Sequence, residues 1–127
     1  MKFFFRLAAI FDWVAAFNLL FNLDLQVKML GLETPNYPGI FNLVGGVTFI
    51  FGWTFWQVAK DPSNKPLFQA ALLAKIVPFF VISSCVFFGK LPRAFFPIVF
   101  LTDGMWVFPF LYFYYQAQPR RRRIFVP

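Results

Sequence analysis

The sequence predicts an all-α fold: a four-helix bundle integral to a membrane, with both termini on the cytoplasmic side. Four long apolar runs, three Pro-rich breaks between them and an uneven distribution of Lys and Arg lead to it. The runs cover about 3–21, 39–58, 67–88 and 95–115. Each is near the ~20 residues that a helix rising about 1.5 Å per residue needs to cross a hydrocarbon core. None alternates with the period of two that a barrel strand requires.

Span one opens on Met1-Lys2-Phe3-Phe4-Phe5-Arg6, which has the outline of a signal peptide. Asp12 interrupts the apolar region and no small-x-small cleavage site follows, so it reads as a retained first helix. Leu23, Leu25, Val27 and Met29 then alternate with Asp24, Gln26 and Lys28, which points to a short interfacial segment or a cap over the bundle. The breaks are Thr34-Pro35-Asn36-Tyr37-Pro38-Gly39, Lys60-Asp61-Pro62-Ser63-Asn64-Lys65-Pro66 and Gly89-Lys90-Leu91-Pro92-Arg93. Pro is well placed at the start of a following helix, where its missing N–H is an orphan in any case. Pro78 and Pro109 fall inside spans three and four, and each is expected to kink its helix and free a carbonyl.

Residues 1–119 form a single four-span domain on this reading, and 120–127 a basic cytoplasmic tail. Eight of the twelve cations fall on one side: Lys2, Arg6, Lys60, Lys65, Arg120, Arg121, Arg122 and Arg123. Lys28, Lys90 and Arg93 fall on the other. The positive-inside rule then places both termini in the cytoplasm, and a bacterial inner membrane is the expected location. The run Arg120 to Arg123 is expected to contact anionic lipid rather than nucleic acid. Trp53, Trp56, Tyr112, Tyr114 and Tyr115 approach the same face as an aromatic belt.

Composition narrows the chemistry. The net charge is +7, 60% of residues are hydrophobic and 22 are Phe, an excess that acyl chains can solvate. There is no His, which excludes histidine-ligated haem or chlorophyll, His-based metal sites and an imidazole base; no cofactor is expected. Cys85 is the one Cys, so no intramolecular disulfide forms.

Charged residues within spans are costly and therefore informative. Counting helical rise from the cytoplasmic ends puts Asp12 ~13 Å and Lys75 ~12 Å deep; Asp103, counted from the opposite face, is ~18 Å deep. If spans one, three and four pack together, Lys75 sits between two carboxylates. That polar layer is expected either to fix helix register as a buried ion pair or to hold a proton. Asn18 and Asn22 on span one and Asn42 on span two form a second expected cluster, of interhelical hydrogen bonds. Thr48, Ser83 and Ser84 are expected to bond back to helix carbonyls. The small residues Gly45, Gly46, Gly52, Ala8, Ala9, Ala15 and Ala16 mark the contact between spans one and two.

Three functions remain. With tiny loops and an apolar side wall, the leading expectation is a non-catalytic accessory subunit of a larger membrane complex, its partners being lipid and other membrane subunits. The second is a proton-coupled transporter or channel acting as a homo-oligomer. Size and span count are similar to small multidrug exporters and fluoride channels, and Asp12 is placed like the exporters' first-helix acid; no further exporter motif and no fluoride-channel pattern accompanies it. The third is an embedded acid–base enzyme on a lipid or isoprenoid, with Asp12 or Asp103 as proton donor and Lys75 holding an anion.

Overall fold

The computed structural model describes residues 1–33 and 35–117. Every regular element among them is helical: α1 (Lys2–Phe21), α2 (Leu23–Met29), α3 (Pro38–Lys60), α4 (Lys65–Phe87), α5 (Phe95–Val99) and α6 (Met105–Ala117). A π-helical turn, Phe100–Gly104, joins α5 to α6, so Phe95–Ala117 runs as one span. Among the described residues four helices are long and apolar enough to cross a membrane: Lys2–Phe21, Pro38–Lys60, Lys65–Phe87 and Phe95–Ala117. Their ends lie within about two residues of those read from hydropathy, the expected uncertainty of a helix boundary. The basic run Arg120 to Arg123 lies outside the described residues.

Two compact units divide the chain, Met1–Asp61 and Pro62–Pro127. The first is a hairpin of α1 and α3 with α2 in its connection. Close approach of its long helices is built on glycine. A Cβ added at Gly45 would lie 3.0 Å from Leu19 Cβ and 3.3 Å from the Ala16 carbonyl. One added at Gly52 would lie 2.6 Å from the Trp13 ring and 3.1 Å from the Ala9 carbonyl. Gly46 faces open space and takes no part in this contact. The Trp13 indole donates to the Phe49 carbonyl at 3.2 Å and lies 5.6 Å from the Trp56 ring, which the Arg6 guanidinium covers at 5.7 Å.

The connection 23–29 is a helix, not an extended segment. Leu23 and Val27 are its buried residues, one turn apart, whereas Leu25 and Met29 are exposed. A period of two and a period of 3.6 coincide over such a short stretch, and burial selects the helical one. Gly31 ends α2 at φ 69°, and Gly89 follows α4 at φ 72°, conformations that residues with a Cβ rarely adopt.

In the second unit α4 pairs with the fourth span. Asn64 caps α4, its side-chain oxygen accepting from the Leu67 N–H at 3.2 Å. Asn64→Ala is expected to lower the unit's stability by about 1 kcal/mol, readable as a lower thermal midpoint in detergent. Pro78 lies inside α4, which remains helical through it. Thr48 and Ser84 bond back to the carbonyls of Val44 and Phe80, as expected; the Ser83 hydroxyl is buried and bonds to nothing in the described residues.

Candidate functional site

The buried polar site of the second unit is built where α4 meets the π turn. Phe68, Ala71, Leu72 and Lys75 form one buried line on α4, at helical spacing i, i+3, i+4, i+7. Lys75 is therefore carried inward by three apolar neighbours on its own helix, and it is 1% exposed. Desolvating an ammonium is costly unless partners replace its water. The π turn supplies them.

Across Phe100–Gly104 the helix widens and its carbonyls leave α register. Pro109 sits beyond this turn, in α6, without an N–H of its own, and local π geometry is one way for a span containing Pro to re-satisfy its backbone. Two carbonyls of the widened turn accept side-chain donors. The Lys75 ammonium donates to the Thr102 carbonyl at 2.9 Å, and the Trp106 indole to the Leu101 carbonyl at 3.1 Å. Lys75 Nζ also reaches Asp103 Oδ1 at 3.4 Å and lies 5.7 Å from the centre of the Trp106 ring, within cation–π range. The Thr102 hydroxyl is 2.9 Å from the Ile98 carbonyl and 3.2 Å from Asp103 Oδ2. It has one proton, so it serves one of these acceptors at a time.

Packing holds these groups in place. Gly104 leaves room for the Phe79 ring, which a Cβ there would meet at 2.6 Å, and Phe79 is 6.4 Å from both Phe96 and Phe100. Toward the end of the span Phe68 meets Tyr114 edge-on at 5.4 Å, and the Gln69 amide donates to the Tyr114 hydroxyl at 3.1 Å. Asp103 keeps 17% side-chain exposure, against 1% for Lys75. The Asp103 side chain is thus less enclosed than that of Lys75.

Of the residues singled out from sequence, Lys75 and Asp103 are brought together. Asp12 is 4% exposed, within the first unit. Asn18, Asn22 and Asn42 belong to that unit as well, and no side-chain hydrogen bond joins them; Asn22 and Asn42 are exposed. Thr102 and Trp106 were not singled out, although Thr102-Asp103-Gly104-x-Trp106 concentrates polar and small residues in an otherwise apolar span. An internal correspondence was also legible. Phe5-x-x-Ala8-Ala9-x-x-Asp12 is matched 63 residues later by Phe68-x-x-Ala71-Leu72-x-x-Lys75. All of these named positions are buried, so Asp12 and Lys75 hold the same register in the first long helix of their units.

Among the described residues no group of three metal-ligating side chains comes together. No known protein family, curated protein or solved structure matches this chain.

Proposed function

We propose that the protein is a non-catalytic structural subunit embedded in a cell inner membrane, with both termini cytoplasmic, presenting its side wall to lipid and to partner membrane subunits. The observation that carries this reading is the state of Lys75. Its ammonium is 1% exposed and engaged by Asp103, the Thr102 carbonyl and the Trp106 ring of its own unit. A charge so enclosed fixes the rotation and register of two helices; it is poorly placed to meet a substrate. The side wall supports the same reading, since only 17–28% of the most apolar stretch of each span is buried. The orientation rests on the excess of Lys and Arg on one side.

A second reading, proton-coupled transport by a homo-oligomer, draws on one observation. Asp103 is partly exposed beside a π turn, a geometry frequent at functional sites. Extraction of the native particle in mild detergent, with its mass and composition measured, separates the two. Stoichiometric co-migration with other membrane proteins is the expected result. A small oligomer of this chain alone overturns the subunit reading and favours transport.

A further inference from the structure

Two shallow, open depressions lie at the end of α4 and the start of α5, outside the polar site. One, about 410 Å³, is lined by Phe rings including Phe80, Phe87 and Phe88, with Ser83 and Ser84 on its wall. The other, about 810 Å³, opens onto the loop after α4 and is lined by Arg93, Pro92 and Leu91. Val86, Phe87 and Phe96 line both, so the two adjoin as an open surface trough.

The trough is amphipathic along its length. Its inner end is aromatic and aliphatic apart from two hydroxyls. Its mouth carries the exposed Arg93, and no acidic residue lines either part. The Ser83 hydroxyl on the inner wall is buried with no hydrogen-bond partner in the described residues. A cationic mouth leading to an apolar trough matches one chemistry: an anionic headgroup carrying an acyl chain.

We propose that this trough binds an anionic phospholipid, its phosphate at Arg93 and one acyl chain lying between Phe87 and Phe96. The site depends on the membrane location proposed above and not on the subunit role. A cation near a bilayer surface contributes about 1 kcal/mol to attraction for anionic lipid, or roughly fivefold in occupancy.

The test is photolabelling of the full-length protein in bilayer nanodiscs, using phosphatidylglycerol or phosphatidylcholine with a diazirine on the acyl chain. Adducts are mapped by mass spectrometry. The phosphatidylglycerol probe is expected to label residues 80–97 about fivefold more than the phosphatidylcholine probe. Arg93→Gln should abolish that preference and Arg93→Lys should retain it. Ser83→Phe, which fills the inner end, should lower labelling of 80–97 by both probes. Equal labelling by the two probes, or adducts spread evenly over the exposed faces of α1, α3 and α4, overturns the proposal while leaving the membrane location intact. Absence of adducts on all four spans overturns the location itself.

Discussion

Lys75→Ala is expected to destabilise the second unit by about 3–5 kcal/mol, the cost of breaking a buried ion pair from one side. The substitution leaves the Asp103 carboxylate with the Thr102 hydroxyl, whose single proton also serves the Ile98 carbonyl. It also strips the donor from the Thr102 carbonyl and the cation from the Trp106 ring. Replacing both partners should recover most of the loss, since an apolar pair of similar volume no longer strands a charge. Lys75→Met with Asp103→Leu is therefore expected to be much more stable than Lys75→Ala. Loss of helical signal on titration from mild to denaturing detergent checks all three variants. If Lys75→Ala costs less than about 1 kcal/mol, or the double variant is no better, the pair does not hold the helices together.

Gly52→Ala is expected to cost the first unit about 1–3 kcal/mol, the range for overpacking a close contact. The added methyl would meet the Trp13 ring at 2.6 Å and the Ala9 carbonyl at 3.1 Å. Trp13 cannot swing aside freely, because its indole N–H is engaged by the Phe49 carbonyl and its ring lies against Trp56. Helix α3 must then move away from α1 or the Trp13 bond must break. Gly45→Ala should cost less, its nearest contact being 3.0 Å. Gly46→Ala meets nothing within 4 Å and should be neutral or slightly stabilising. The same detergent titration ranks the three. Equal effects at Gly46 and Gly52 would mean that helix propensity, not close approach, governs these glycines.

Much of this arrangement follows from patterns that a single sequence displays. Span positions come from hydropathy and Pro-rich breaks because both act locally. The meeting of Gly45 and Gly52 with α1 was readable from small residues, although Gly46 was not separable from them: side-by-side glycines point about 100° apart on a helix, and only packing shows which one is covered. Lys75 and Asp103 were marked by the cost of charge in an apolar span. What sequence could not provide was the receptor for the lysine. The Thr102 carbonyl is a backbone group that any residue would carry, and it is available because the helix widens there. The Asn residues failed to form the expected cluster for a related reason: their helical spacing fixes neighbours along one helix but not the separation from the next.

The π turn also sets the phase of the fourth span. Each residue of an α-helix advances the facing direction by about 100°, and a π turn absorbs roughly one extra residue. Met105–Ala117 is therefore rotated relative to the face that an uninterrupted helix starting at Phe95 would present. That offset lets Phe96 and Phe100 pack with Phe79 while Phe110 is fully buried and Tyr114 meets Phe68. Deleting one residue from Phe100–Gly104 would keep the hydropathy and length of the span nearly unchanged yet turn its second half by about a quarter revolution. Such a chain would pass every test of composition and still present the wrong side of α6 to α4.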